Sequence, residues 1–194
     1  MKINKLHDNV YEVSDFLTSN ELAEVYKIIE NSKEEDWFND SIKSNPTDKK
    51  EYDTTDFWYG KNLYFKDINI FDSINDKMKN LFESYYDYPP KLILQRYKKG
   101  DYIQSHRDQW IPDLSYYIGY GFCLYYNDDY EGGELEYPEI GIIVKPKANT
   151  LYIHGGNILH GSLPVLDDTI RYFSTVFIRG TEEEPTRLKG DLFK

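Results

Sequence analysis

Leu94–Trp110, LQRYKKGDYIQSHRDQW, is the stretch on which the reading of the chain turns. Read as a strand ending near His106 and Asp108, it presents both side chains on one face, because residues two apart in a strand share a side. An imidazole and a carboxylate placed so can share one metal ion. A third ligand must come from another strand, and His160 in NILHGSLPV is the best candidate. Two histidines and a carboxylate hold one face of a non-haem ferrous ion and leave its other positions open. An HxD triplet standing alone is most often an exposed pair in a loop, so the sequence around it decides.

That surrounding sequence is β-rich. From Pro90 onward, short runs of β-formers separated by Gly, Asp and Asn predict strands at 91–97, 102–106, 120–126, 134–137, 141–145, 150–154, 160–165 and 170–178. Strands this short and this evenly spaced suit a jelly roll better than an α/β sheet. Upstream, Val10–Phe16 alternates as a strand, and Thr18 with Glu21 has capping-box spacing ahead of an apolar stripe at Leu22, Val25, Tyr26 and Ile29, which predicts a helix over Ser19–Asn31. Asn62–Phe65 is a brief strand. Ile70, Phe71, Ile74, Met78, Leu81, Phe82 and Tyr85 recur at helical spacing and predict a second helix that Pro89 and Pro90 stop. Between the helices, Asp36–Gly60 has no pattern and is read as a long loop, a lid or an insertion. The acidic TEEEPT near the C-terminus reads as a solvated tail.

The fold expected is therefore α+β and mainly β: one domain over 1–194, with 1–90 as helical support and variable loop and 91–180 as the jelly-roll core, a double-stranded β-helix. At 194 residues one packed domain is the natural size. A net charge of -11 disfavours nucleic acid as a partner, since phosphate binding needs a basic stripe. Cys123 is the only cysteine, which excludes an intramolecular disulfide and a thiolate metal site and fits a reducing compartment. No signal-like or membrane-spanning apolar run is present, so the expectation is a soluble, intracellular, cytoplasmic protein with no membrane partner.

Arg171 completes the polar set. A hairpin turn centred on Asp167 and Asp168 pairs His160 with Thr175 and puts Arg171 on the same face, about 13 Å from the histidine. The guanidinium fork suits a carboxylate, so a small dicarboxylate could span the gap between it and a metal at His160.

These stretches resemble a known family in its own order: RYKKGDYIQSHRD, FCLYYNDDYEGGEL, IIVKPKANTLYI, LHGSLPV and RYFSTVFI, with VYEVSDFLTSNELAEVYKII at the start. The family is the Fe(II)- and 2-oxoglutarate-dependent dioxygenases, in their prolyl 4-hydroxylase-like branch. The resemblance implies that His106, Asp108 and His160 hold Fe(II), that Arg171 binds the far carboxylate of 2-oxoglutarate, and that Tyr126 and Tyr97 help on the cosubstrate side. It implies dioxygen as co-reactant, ascorbate as the reductant that rescues over-oxidised iron, and hydroxylation of a prolyl residue in a peptide or protein or of a proline-like small molecule. Gly132 and Gly133 match the family's turn, where φ > 0 is needed. His154 is a rival ligand without the LPV that follows His160, and is taken as a polar strand-end residue. Many collagen-type relatives carry lysine at the position of Arg171, and nucleic-acid dealkylases carry a second arginine where this chain has Phe177. The substrate rim is expected from Asp36–Gly60, with Trp58 and Tyr59, and from Trp110–Tyr117.

Two other readings stay open on the residues alone. One is a jelly-roll protein that binds a metal or small acid without turnover. The other is a zinc hydrolase, since the same donors suit zinc with an activated water; it would leave Arg171 without a purpose.

Overall fold

The computed structural model describes residues 1–38, 61–63, 69–84, 92–108, 117–183 and 185–193. In chain order the elements are β1 (Lys2–His7), β2 (Val10–Ser14), α1 (Ser19–Asn31), β3 (Trp37–Phe38), β4 (Lys61–Leu63), α2 (Asn69–Lys79), β5 (Phe82–Ser84), β6 (Ile93–Tyr97), β7 (Ile103–His106), β8 (Tyr117–Tyr125), β9 (Leu135–Tyr137), β10 (Ile142–Val144), β11 (Thr150–Gly155), β12 (His160–Ser162), β13 (Arg171–Gly180) and β14 (Arg187–Leu188). Eight strands form one sheet in the order β1-β2-β11-β8-β13-β6-β4-β3, and four form a second in the order β10-β9-β12-β7. This is the mainly β jelly roll with helices at one side. No described helix is long and apolar enough to cross a membrane.

The alternation of side chains along the central strands creates two separate interiors. On β8, Phe122 and Leu124 face one way with Tyr126 just beyond, and they pack with Leu151 and Ile153 of β11 and Val176 and Ile178 of β13. Val25 of α1 and Ile74 and Met78 of α2 cover that layer. Tyr125, Tyr152 and Phe173 face the other way and close a second cluster with Leu135 and Tyr137 of β9 in the small sheet. The second interior holds the polar groups described below.

α1 begins where its cap dictates. The Thr18 backbone N–H donates to Glu21 Oε2 at 2.7 Å and the Glu21 N–H donates to Thr18 Oγ1 at 3.3 Å, which satisfies two of the donors that a helix start leaves open. α2 is shorter than its apolar spacing predicts. It ends at Lys79, the Asn80 and Leu81 N–H groups donate back to Asp76 and Met78, and Phe82 opens a strand that pairs with β14. The step from Met78 to Phe82 equals one helical turn, so apolar spacing alone extends the helix through a turn; Tyr85 lies outside the described residues.

Two further expectations are corrected. His160 does not pair with Thr175, because β12 and β13 belong to different sheets: His160 pairs with His106, and Thr175 with Ile93 and Cys123. The residues between them cross from one sheet to the other, with Val165 bridging to Gly132, instead of closing a hairpin. The C-terminus is not a free tail either. Glu182 and Glu183 are exposed, yet the chain returns through β14, and Phe193 packs edge-on against Tyr11 with ring centroids 4.8 Å apart.

Candidate metal centre

His106 is the last residue of β7 and lies directly across from His160 on β12, so the two imidazoles meet as a cross-strand pair with ring centroids 4.4 Å apart. Asp108 lies two residues beyond the strand end. Its Oδ1 is 3.3 Å from His106 Nε2 and 3.8 Å from His160 Nε2, and one ligand atom from each of the three residues lies within 4.8 Å of the others. The carboxylate sits just past the strand end, on the same side as His106.

Both imidazoles are held from behind. His106 Nδ1 lies 2.8 Å from the Gln104 carbonyl and His160 Nδ1 lies 3.0 Å from the Ile158 carbonyl. A carbonyl can only accept, so each Nδ1 carries the proton and each Nε2 lone pair points towards Asp108. This outer hydrogen bond fixes the tautomer of a metal-binding histidine. Burial and the neighbouring His154 push His160 down to about 3, which leaves its ring neutral and able to bind a cation. Burial would raise the Asp108 carboxyl; where the adjoining rings carry a proton, the charge on His160 and hydrogen bonds from His106 and His154 outweigh burial and hold the group well below the usual carboxylate range.

His154 is part of this cluster rather than a strand-end polar residue. It is 1% exposed, its Nε2 lies 3.1 Å from Asp108 Oδ2, and its ring, tilted by 38° to that of His160, has its centroid 3.7 Å from that ring's. It touches the outer oxygen of the carboxylate and stands outside the three-ligand set.

Arg171 is 1% exposed and lies in the same interior. From the large sheet it reaches across to the small one: Nη1 donates to Ser162 Oγ at 2.9 Å and to the Gly133 carbonyl at 2.9 Å. Ser162 is two positions along β12 from His160, so the guanidinium and the ligands line one chamber. The rings of Tyr97 and Phe173 lie 4.6 Å from its Cζ, and that of Tyr125 lies 5.3 Å away. Gly133 has φ +65°, and a Cβ there would meet Arg171 Nη1 at 3.1 Å, so the glycine turn both needs the left-handed conformation and makes room for the guanidinium.

Tyr126 is corrected. Its hydroxyl donates to Ser174 Oγ at 2.8 Å within the helix-covered layer, on the side of the sheet away from Arg171. Tyr125, one residue earlier, faces Arg171, and its buried hydroxyl has no hydrogen-bond partner among the described residues. Tyr97 packs on the Arg171 guanidinium. Ser162, Tyr125 and the contact of His154 with Asp108 were missed. The signal for Tyr125 was present in the alternation of β8, where Gly121, Cys123 and Tyr125 form one row and Phe122, Leu124 and Tyr126 the other. The expected rim residues Trp58, Tyr59 and Trp110 lie outside the described residues.

The chamber suits an anionic guest. Arg171 Nε and the hydroxyls of Tyr125, Tyr130 and Tyr137 are buried without partners, and among the described residues no carboxylate contacts Arg171. Asp101 is near enough to feel the guanidinium without touching it; a buried cation with no carboxylate in contact is costly, and an acid bound beside it would remove that cost.

No family model matches the chain, and no curated protein is similar enough in sequence to register. Solved structures do match. A viral collagen prolyl hydroxylase from Paramecium Bursaria Chlorella virus-1, in its 2OG complex, is 17% identical, with 90% of this chain and 99% of that one covered at a TM-score of 0.63. A prolyl-4-hydroxylase from Pseudomonas putida is 15% identical over 94% of each chain, TM-score 0.63. A prolyl hydroxylase from Trichoplax adhaerens, in complex with a hypoxia inducible factor oxygen degradation domain peptide fragment, is 15% identical over 88% of this chain and 83% of that one, TM-score 0.65. At these identities the likeness is one of architecture: the chain has the jelly-roll fold of the prolyl hydroxylases.

Proposed function

We propose that residues 1–194 serve as one Fe(II)- and 2-oxoglutarate-dependent oxygenase domain that hydroxylates a prolyl residue in a peptide or protein, or a proline-like small molecule. The observation that carries the reading is the pairing, in one interior, of three convergent ligand atoms with a buried guanidinium that no carboxylate contacts among the described residues. When bound, ferrous iron supplies the dioxygen chemistry that couples decarboxylation of 2-oxoglutarate to succinate with insertion of one oxygen atom into a substrate C–H bond. His106, Asp108 and His160 would hold the iron through one ligand atom each, and a set of three protein ligands would leave room for cosubstrate and dioxygen. Arg171 takes the far carboxylate of the cosubstrate through charge-assisted hydrogen bonds, and the Tyr125 hydroxyl donates to the same group. Tyr97 and Phe173 pack on the guanidinium and keep water from it. A zinc hydrolase uses the three ligands but gives the buried arginine no role.

An intracellular setting, with Cys123 a free thiol, agrees with a ferrous centre. The prolyl class is supported by the three solved structures named above, each described as a prolyl hydroxylase. Succinate release in the presence of iron, 2-oxoglutarate, ascorbate and a panel of proline-containing peptides and free amino acids tests the proposal, with an oxygen-atom mass gain as the product readout. Asp108→Ala should abolish both signals. Metal binding with no succinate from any substrate would leave a binding protein; succinate release that survives Asp108→Ala would remove the ligand assignment.

A further inference from the structure

We infer that His154 is a positioning residue for the metal carboxylate: its Nε2–H holds Asp108 Oδ2 so that Oδ1 alone faces the ion. The inference rests on the metal reading above and adds a residue that the three-ligand set does not include. The two oxygens of Asp108 have different surroundings. Oδ1 lies beside the Nε2 atoms of His106 and His160, whereas Oδ2 lies 3.1 Å from His154 Nε2. An ionised carboxylate only accepts, so the proton in the second contact belongs to His154. The arrangement fixes the Nε2–H tautomer, consistent with a His154 Nδ1 that is buried without a partner, where a bare lone pair is the smaller cost.

The pair has no room to turn. His154 stands opposite Gly121 in the β11–β8 ladder, and a Cβ on Gly121 would lie 2.2 Å from Asp108 Oδ2 and 2.5 Å from His154 Nε2. On its other side the imidazole packs against the tilted ring of His160, with centroids 3.7 Å apart. Asp108 itself lies past the end of β7 and lacks a strand's ladder to hold it. Without His154, therefore, the carboxylate is free to rotate about its last bond and to offer both oxygens, or neither, to the cation. Outer hydrogen bonds of this kind support metal affinity by about tenfold to a hundredfold.

The test compares His154→Leu with His154→Gln, whose amide N–H can occupy the position of Nε2, by Mn(II) titration followed by electron paramagnetic resonance, with thermal melts of the metal-free proteins alongside. His154→Leu should weaken Mn(II) by about tenfold to a hundredfold, and His154→Gln should remain within about threefold of the native protein. The metal-free melting temperatures of the two variants should agree with each other. Equal loss in both variants would show that the imidazole itself binds the ion, and no loss in the leucine variant would show that Asp108 needs no support; either overturns the inference while the metal centre stands. A native protein that binds no Mn(II) overturns the metal centre and this inference together.

Discussion

Tyr125 and Tyr126 are adjacent in sequence and lie in different interiors, so a single pair of variants separates cosubstrate binding from packing. Tyr125 places a partnerless hydroxyl beside a buried guanidinium, whereas the hydroxyl of Tyr126 is spent on Ser174. Tyr125→Phe should weaken 2-oxoglutarate by about tenfold to a hundredfold, the worth of a hydrogen bond to a charged group. Tyr126→Phe should leave that affinity unchanged and cost about 1 kcal/mol of stability. Calorimetric titration with 2-oxoglutarate into the metal-loaded proteins checks the first, urea midpoints the second, and a cosubstrate loss in Tyr126→Phe alone would restore the original sequence reading. The error in that reading has a physical source. A one-residue shift in a strand exchanges its faces, and a YY pair does not show which tyrosine belongs to which row. The candidate ligand cluster was easier to read because HxD has its own spacing and His160 stands just before LPV in HGSLPV. His154 offered no comparable signal: its importance comes from a cross-strand neighbour that is a glycine.

At the scale of elements, α1 was legible to the residue because its boundaries are set locally, by the Thr18–Glu21 box at one end and the Ser32 cap at the other. The relation of β12 to β13 was not, because a chain passing between two sheets uses the same Asp-rich turn chemistry as a hairpin. Arg171 nevertheless lies in the same interior as His160, through its hydrogen bond to Ser162. β8 shows why: Gly121 touches the ligand cluster and Tyr125 touches the guanidinium, so four residues of one strand, about 13 Å, join the two ends of the site. The same strand turns Leu124, 0% exposed, towards the helix-covered layer. Leu124→Ala should lower stability by about 2–5 kcal/mol through lost burial and the cavity left behind, while the Mn(II) affinity of the folded protein stays as it was. Parallel loss of metal affinity would mean that the two faces of β8 are mechanically coupled and that the separation of scaffold from site drawn here is wrong.

Across the whole molecule, the unusual aromatic content of the chain becomes a dependence of folding on alkaline pH. Tyr125, Tyr126, Tyr130, Tyr137 and Tyr152 are all 3% exposed or less, and burial is the first cause that pushes each phenol above its ordinary value of 10.0. Near the chamber Arg171 opposes the shift at Tyr125 and Tyr130 without reversing it. The sign follows from proton counting. Below pH 10 the folded and unfolded chains both keep these protons and stability is intact; above it the unfolded chain loses them first, so stability falls as pH rises. Each tyrosine held protonated contributes a slope of about 1.4 kcal/mol per pH unit, and five together give about 7. Against a total stability of about 5–15 kcal/mol, that slope unfolds the protein within about two pH units of 10. Tyrosinate absorbance and far-ultraviolet circular dichroism should therefore change together in one steep step, with only the exposed phenols ionising before it. Smooth ionisation of every tyrosine with native dichroism kept beyond about pH 12 would mean that water reaches these hydroxyls in the folded state. The chamber would then be wet, and a buried arginine in need of an acid would no longer argue for a bound cosubstrate.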